Sequence, residues 1–271
     1  MATVPPLAEL NFVVIPLLST TIGRAIRSGL LIRVVELQFR AKEAGLPEGC
    51  ENQNAVPGLK FRRQLFAAID MLQEQAEKLL EHMKPKPSCI VSDAYVAWTA
   101  ETADKFQIPR IVFDGMSCFT QICMHSLYIM RDQKQIPESG PFVIPDLPDR
   151  IEVTKSQLPA HFNPGAISIQ DIRDKIRAAE ERAYGVVINT FEELEQRYVD
   201  KFRKLKDGRV WCIGPLSLCN NDNIDKSQRG NKAEECNLMK WLDSWQPESV
   251  VYACLGSLGR TPVVQFVELW L

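Results

Sequence analysis

Short apolar segments alternate with helical patterns along most of the chain. Five of them end in polar or glycine-containing turns, namely residues 89–98 (CIVSDAYVAW), 110–115 (RIVFDG), 185–190 (GVVINT), 210–216 (VWCIGPL) and 249–257 (SVVYACLGS). Continuous apolar runs of this length are typical of strands that are buried on both faces of a parallel sheet. Because helical patterns separate them, the sequence predicts an α/β fold with a Rossmann-like, doubly wound parallel sheet.

Two of the intervening segments carry clear helical signals. Residues 62–83 place apolar side chains at steps of three and four, which gives a single apolar helix face. Thr190 and Glu193 have the spacing of a capping box at the start of a second helix over residues 190–206.

The first apolar run, Phe12–Ile15, ends at Pro16, and the next β-branched run covers residues 32–37. Two parallel strands require a crossover of about a dozen residues or more. Ser19–Leu30 supplies twelve residues, so we expect a connection that is barely long enough to return to the sheet.

The segment 218–235 is polar and has no apolar periodicity, so it is predicted to be a linker. The helix and strand that follow are too few to form a stable sheet alone. We therefore interpret residues 1–217 as one nearly complete domain and residues 236–271 as the first elements of a second domain.

The charge pattern gives no indication of nucleic-acid or membrane binding. The chain has 32 basic and 34 acidic residues and a formal net charge of −2, without the basic surplus that phosphate backbones and anionic lipids attract. The first eighteen residues contain Glu9, no Lys or Arg, and several prolines, which is unlike a signal peptide or a spanning helix. We predict a soluble protein without a membrane span.

Eight cysteines are scattered along the chain without a C-x-x-C pair. This usage favours buried, reduced thiols in a cytoplasmic protein and gives no metal site. The chain also lacks the G-x-S-x-G, P-loop and G-x-G-x-x-G motifs. A serine hydrolase remains an alternative only if a histidine lies beside Ser117 or Ser257.

Asp93 follows a predicted buried strand, at the edge where doubly wound sheets place ligands and catalytic groups. It could orient a histidine and stabilise its protonated form, or it could simply cap the next helix. Asp114 has the same place on the next strand and the same two interpretations. Gly256-Ser257 could bind a phosphate at a helix N-terminus or form an ordinary tight turn.

None of the three histidines is predicted to pair with Asp93. His82 ends a predicted helix, His125 lies in an apolar helix, and His161 lies in a proline-bounded loop. No histidine follows the first strand.

The order of several segments resembles that of the plant family-1 UDP-sugar glycosyltransferases, especially those that glucosylate flavonoids, terpenoids and hormones. The resemblance is carried by NFVVIPL, AGLPEGCEN, CIVSDAYVAWTAETADKFQIPRIVFDGMSCF, GVVINTFEELE, VWCIGPLSL and KWLDSWQPESVVYACLGSL. It implies a GT-B fold, of which residues 1–217 resemble the acceptor-binding domain and residues 236–271 the start of the UDP-sugar-binding domain.

The resemblance also implies the chemistry. A histidine after the first strand removes the proton of an acceptor hydroxyl, an aspartate balances that histidine's charge, and the oxygen displaces UDP with inversion and without a metal. Asp93 matches the family's aspartate, and Gly256 and Ser257 match residues near the donor phosphates. The acceptor pocket is implied for Trp98, Phe113, Met116, Ser117 and Phe119. The implied ligands are a hexose donor such as UDP-glucose and a small apolar acceptor, bound by a monomer.

Two departures from the family change this expectation. The segment after Pro16 resembles a point further along the family's chain, so we expect an internal deletion near residues 18–30 that removes the histidine. The donor-binding signature is expected beyond residue 271. We therefore expect impaired transfer, with a non-catalytic acceptor-binding or partner-binding module, or a gene-fragment product without function, as the alternatives.

Overall fold

The computed structural model describes residues 10–14, 32–51, 55–163, 169–216 and 232–251. The chain divides into two compact units, Met1–Pro215 and Leu216–Leu271. That the first binds an acceptor and the second a sugar nucleotide stays a prediction.

The strands of the first unit are β1 (Leu10–Val14), β2 (Ile32–Glu36), β3 (Ile90–Asp93), β4 (Arg110–Asp114), β5 (Pro141–Val143), β6 (Glu152–Thr154), β7 (Gly185–Ile188) and β8 (Val210–Cys212). Its α-helices are α1 (Arg62–Asp70), α2 (Leu72–His82), α3 (Trp98–Phe106), α4 (Cys118–Asp132), α5 (Gln170–Glu181) and α6 (Glu192–Leu205). The second unit contains α7 (Lys232–Asp243), which begins inside the predicted linker.

A four-stranded parallel sheet in the order β3-β4-β7-β8 forms the centre of the first unit, β1 and β2 form a parallel pair, and β5 and β6 form an antiparallel pair. Asp93 pairs with Phe113 across β3 and β4, and Asp114 pairs with Ile188 across β4 and β7. This register brings the carboxyl ends of neighbouring strands to one edge, as the Rossmann-like prediction requires.

The main core lies between this sheet and the helices α4 and α6. Val112, Ile188 and Val210 of the sheet pack with Ile122 of α4 and Val199 of α6, and none of the five is more than 2% exposed. Burying each such side chain stabilises the fold by about 1.5–3 kcal/mol. A separate cluster of small and branched residues joins α3 to α5.

Two local predictions differ from the structure. The helix expected over residues 62–83 is divided into α1 and α2 at Met71, whose backbone keeps right-handed helical angles. The capping box of Thr190 and Glu193 is wrong: α6 has no side-chain cap, and the buried Thr190 hydroxyl donates to Glu195. Glu195 can accept this bond because its φ of −147° and ψ of 41° interrupt the helix.

Several predictions lie outside the described residues. These are the crossover Ser19–Leu30 with its inferred deletion, the glycine and serine at positions 256 and 257, and most of the strand 249–257. Among described cysteines, Cys50, Cys118 and Cys123 are buried free thiols, while Cys89 and Cys212 are partly buried free thiols. Within the described ranges, no helix is both long and apolar enough to span a bilayer.

Candidate functional site

Asp93 is the last residue of β3, and its side chain is exposed at the carboxyl edge of the sheet. Its Oδ1 accepts a hydrogen bond of 2.8 Å from the backbone N–H of Tyr95, which closes a turn two residues long. The helix that follows begins only at Trp98 and has no side-chain cap. Asp93 therefore caps a turn and not the helix. Within the described residues, its Oδ2 accepts no hydrogen bond.

Asp114 holds the equivalent place on β4 but is buried, with 6% of its surface exposed. Its carboxylate accepts from the backbone N–H of Met116 at 2.7 Å and from the side-chain amide of Gln121. Burial raises the pKa of Asp114, and the nearby Asp93 carboxylate raises it further, against the two hydrogen bonds that lower it. Asp114 thus has a structural role in the turn between β4 and α4.

The N-terminus of α4 is already occupied by a protein carboxylate. Glu195 accepts from the backbone N–H of Cys118 at 2.9 Å and of Phe119 at 2.7 Å, while Ser117 Oγ accepts from the N–H of Thr120. A free helix N-terminus attracts phosphate because its N–H groups lack partners. Since Glu195 satisfies them here, this end of α4 is not organised to hold a nucleotide phosphate.

The predicted acceptor-binding residues lie in different environments. Met116 and Phe119 are exposed at 51% and 38%, and Phe113 and Ser117 are partly buried. Trp98 is 6% exposed, and its indole N–H donates to the carbonyl of Ile69 at 3.0 Å. Met116 and Phe119 are placed to meet a ligand at the carboxyl edge, whereas Trp98 packs in the core as the structure stands.

A cavity of about 210 Å³ lies between α1, α5 and the turn after Asp93. Its apolar wall consists of Phe66, Ala67, Tyr95, Ala97, Ile172 and Ile176. Pockets for drug-sized ligands have volumes of about 300–1,000 Å³, so this cavity suits one aromatic ring or a group of similar size. Tyr95 connects it directly to Asp93 through the 2.8 Å turn.

Ion pairs border the cavity. Arg63 of α1 makes a two-pronged bond to Asp171 of α5, with distances of 2.6 and 3.1 Å. Lys175 donates to Asp70 at 3.1 Å, so a second pair also joins the two helices. Exposed pairs of this kind contribute little stability. They nevertheless join α1 to α5 beside the cavity.

None of the three histidines, all of which the structure describes, hydrogen-bonds to Asp93 or to Ser117. His82 Nδ1 lies 2.7 Å from the carbonyl of Lys78, and His161 Nε2 lies 3.3 Å from the hydroxyl of Tyr128. Burial lowers the pKa of His161 to about 4, with Arg173 and Arg131 adding to the effect. The hydrolase alternative therefore has no support at Ser117.

Within the described part of the chain, no three His, Cys, Asp or Glu residues come together as a possible metal site. The arrangement of Asp93, Tyr95 and the cavity can bind an apolar ring beside a carboxylate. Among the residues that the structure describes, this arrangement brings no histidine into a hydrogen bond with Asp93.

Sequence reasoning did not identify the cavity. Ile172 and Ile176 are four residues apart on an amphipathic helix, and this spacing predicts a buried helix face. Only the packing of α5 against α1 shows that part of this face borders open space.

No family model matches the chain. The chain is 44% identical over 258 residues to UDP-glycosyltransferase 73E1 of Stevia rebaudiana, covering 92% of this chain and 52% of the relative. It spans about half the length of the curated relatives that it matches.

Solved structures agree with this similarity. UGT73P12 of Glycyrrhiza uralensis, complexed with glycyrrhetinic acid 3-O-monoglucuronide, matches with a TM-score of 0.78 and 29% identity, over 97% of this chain and 54% of that one. Arabidopsis thaliana UGT89C1 complexed with UDP-L-rhamnose matches with a TM-score of 0.65 and 23% identity, over 97% and 54%. Its complex with quercetin matches with 0.57 and 22%, over 88% and 48%. The UGT89C1 likeness concerns the fold alone.

Proposed function

The chain is homologous to plant UDP-glycosyltransferases over about half of their length, and from this premise we propose that it forms the acceptor-binding half of such an enzyme. The reaction of such an enzyme would transfer a hexose, with inversion, from a UDP-sugar to a hydroxyl of a small apolar metabolite. Glucose is the first candidate for the hexose. The GT-B likeness of the described sheet and helices supports this assignment.

The acceptor would bind with one ring in the cavity and its reacting hydroxyl near Asp93. The apolar wall would bury the ring, and each square ångström of apolar surface removed from water contributes about 25 cal/mol. Met116 and Phe119, which are exposed at the same edge of the sheet, would contact the rest of a multi-ring acceptor. This assignment extends the predicted acceptor set to Phe66, Tyr95 and Ile172.

The single observation that carries the catalytic proposal is that no histidine of the chain hydrogen-bonds to Asp93. The resemblance assigns Asp93 the role of balancing a histidine's charge, yet the first 81 residues contain no histidine and none of the three later ones bonds to Asp93. Loss of a general base slows a reaction by about 10²–10⁴-fold. We therefore propose an acceptor-binding protein whose own transfer activity is strongly impaired.

The test combines binding and turnover on the full chain. Quercetin, the ligand in the UGT89C1 complex, is titrated by intrinsic fluorescence, and quercetin glucoside is sought by chromatography after incubation with UDP-glucose. We expect saturable binding with turnover at least about 10²-fold below that of an active relative. Turnover at the relative's rate would contradict the impairment, and absence of any binding would contradict the acceptor site.

A monomeric state, a cytoplasmic location and contacts of Gly256 and Ser257 with the donor phosphates stay predictions. Glutaraldehyde cross-linking across a concentration series checks the monomeric state. Substitution of Ser257 by Ala, followed by calorimetric titration with UDP, checks the contact with the donor phosphates.

A further inference from the structure

The β4–α4 loop segment, residues 115–119, consists of the loop after β4 and the first two residues of α4, and it is fastened by a carboxylate from a distant part of the chain. We infer that Glu195 is a positioning residue for acceptor selection, because it holds this loop at the carboxyl edge. The inference rests on the proposed function, since it concerns the same acceptor site, but it names a residue that would not itself touch the acceptor.

Glu195 lies 76 and 77 positions along the chain from the two amides that it binds. Its Oε1 accepts from the N–H of Cys118 at 2.9 Å, and its Oε2 accepts from the N–H of Phe119 at 2.7 Å. Thr190, which is 3% exposed, donates its hydroxyl to Oε1 as well. Both carboxylate oxygens are therefore engaged, and both belong to a charge-assisted cap at a helix N-terminus, where negative charge is favourable.

The backbone of α6 departs from helical geometry at this residue. With φ at −147° and ψ at 41°, Glu195 interrupts the first turn of α6. A glutamate in a regular helix would project its side chain along the helix surface. The interruption coincides with the residue of α6 whose carboxylate reaches α4.

A second contact from α6 fixes the far end of the same loop. The ring of Tyr198, three residues after Glu195, meets the ring of Phe119 edge to face, with centroids 5.1 Å apart and planes at 80°. At the near end, Asp114 accepts from the N–H of Met116. The loop is thus held by Asp114 before it and by Glu195 and Tyr198 after it.

The held loop carries two apolar side chains that are partly exposed to solvent. Met116 is 51% exposed and Phe119 is 38% exposed. The loop also adjoins the turn of Asp93, because the N–H of Ala94 donates to the carbonyl of Phe113 at 3.2 Å. Met116 and Phe119 therefore lie on the segment that follows β4, at the same end of the sheet as Asp93. A freed loop would have to be ordered by the acceptor at binding, which costs affinity.

Three variants separate positioning from simple stability. Glu195→Gln keeps the shape but replaces one carboxylate oxygen with an NH₂ group, which faces a backbone N–H, that of Cys118 or of Phe119, in either orientation of the amide. Glu193→Gln makes the same chemical change two residues earlier, at an exposed side chain. Val199→Ala removes buried atoms of α6, where Val199 is fully buried, and takes away no hydrogen-bonding group of the loop.

The measurements are the quercetin Kd at a temperature where every variant is fully folded, and amide hydrogen exchange at Cys118 and Phe119. For Glu195→Gln we expect a Kd about tenfold weaker, which corresponds to about 1.4 kcal/mol, together with faster exchange at both amides. Glu193→Gln should match the unmodified chain in both. Val199→Ala should lower Tm and leave Kd and these two amides unchanged.

The outcomes separate the inference from the proposed function. If the unmodified chain binds no quercetin, the proposed function fails, and unchanged exchange in Glu195→Gln would then overturn the positioning role as well. If quercetin binds and Glu195→Gln binds it equally well, the positioning role is overturned while the proposed function stands. A weaker Kd in Val199→Ala of the same size would also overturn it, because general loosening would then be sufficient.

Discussion

The carboxylate of Asp93 accepts a 2.8 Å hydrogen bond from the backbone N–H of Tyr95, and this bond is its one hydrogen bond within the described residues. It fixes the turn that leads from the sheet edge to the cavity. In a complete aspartate–histidine pair, the negative charge itself would be essential. An uncharged oxygen in the same place would accept this hydrogen bond equally well, and the charge itself is attracted to Arg110 and repelled by Asp114, two effects that oppose each other.

We therefore expect Asp93→Asn to leave stability and quercetin affinity nearly unchanged. The asparagine side-chain oxygen can accept from the Tyr95 N–H and tolerates turn conformations. Asp93→Ala removes the oxygen that accepts the hydrogen bond from Tyr95, so it should lower the free energy of unfolding by about 1 kcal/mol. Urea denaturation of both variants checks this. An Asp93→Asn variant as unstable as Asp93→Ala would show that attraction of the charge to Arg110 outweighs its repulsion by Asp114.

Filling the cavity should prevent acceptor binding without disturbing the fold. Ala67 lines the cavity and has an exposed side chain, so Ala67→Phe places a ring where the ligand ring would lie. We expect quercetin affinity to fall by at least about tenfold, with Tm shifted by no more than about 2 °C because no core atom is displaced. Fluorescence titration and thermal denaturation measure the two effects.

The matched control is Ala178→Phe. Ala178 is an exposed alanine on α5 that is not part of the cavity wall. It should bind quercetin like the unmodified chain. Equal losses of affinity in both variants would place the ligand elsewhere.

The sheet was predictable because its central strands, β4 and β7, are apolar on both faces, whereas the outer strands β3 and β8 expose Val91 and Trp211. Val112 and Ile188 lie in short continuous apolar runs, and only a sheet covered by helices on both sides buries every position of such a run. The polar turn residues then marked the carboxyl edge, so the position of Asp93 and Asp114 followed from chain order. Their different exposure did not follow, because it depends on how α4 and Gln121 cover one strand end and not the other.

Long-range polar contacts could not be predicted from local patterns. Thr190 and Glu193 have the spacing of a capping box, but Thr190 donates to Glu195, whose carboxylate is bound to amides more than seventy positions away. The family resemblance likewise implies an acceptor-pocket role for Trp98, and in the structure its indole N–H donates to the carbonyl of Ile69 on another helix. In both cases the partner is set by tertiary packing, which local spacing does not encode.

Arg110 should be among the most sensitive core positions. It is 3% exposed, its Nε donates to Thr99 Oγ1 at 2.7 Å, and its Nη1 donates to the carbonyl of Ala179 at 2.9 Å. Arg110→Ala leaves these acceptors without the donor and opens a void, so we expect a loss of about 3–5 kcal/mol in the free energy of unfolding. Urea denaturation measures it.

A methionine at the same position distinguishes the loss of the charged donor from the loss of side-chain volume. Arg110→Met retains much of the volume and removes the charge, and replacing a buried charge by an apolar side chain is often well tolerated. We expect it to be less destabilising than the alanine variant. Arg209→Ala, which changes a side chain that is 40% exposed, should cost less than about 1 kcal/mol. Equal losses at the two arginines would contradict the assigned role.

Glu180 should make stability depend on pH near neutrality. Burial and, to a smaller extent, the Asp114 carboxylate raise its pKa from 4.5 to about 7, while Lys206, Arg110 and Arg173 act in the opposite direction. Between these two values the folded chain binds a proton that the unfolded chain has released. The free energy of unfolding therefore falls as pH rises from about 4.5 to about 7, by up to about 3 kcal/mol from this group.

His161 contributes the opposite slope over part of the same range. Its pKa is lowered from 6.5 to about 4, so in that interval the unfolded chain binds the extra proton and stability rises with pH. The sum for the unmodified chain is therefore flattened. The contribution of Glu180 becomes visible only as a difference between two chains that share His161.

Glu180→Gln supplies that difference. The neutral amide removes the cost of a buried charge, so relative to the unmodified chain we expect the variant to gain stability progressively between pH 4.5 and 7 and to keep that gain at higher pH. Glu181→Gln is the matched control, since Glu181 is exposed and its nearest cation, Arg177, lies 3.9 Å away. Urea denaturation at a series of pH values gives both curves. A difference curve that is flat across this interval would show that Glu180 is ionised in the folded chain without cost, with Lys206 and Arg110 fully compensating its burial.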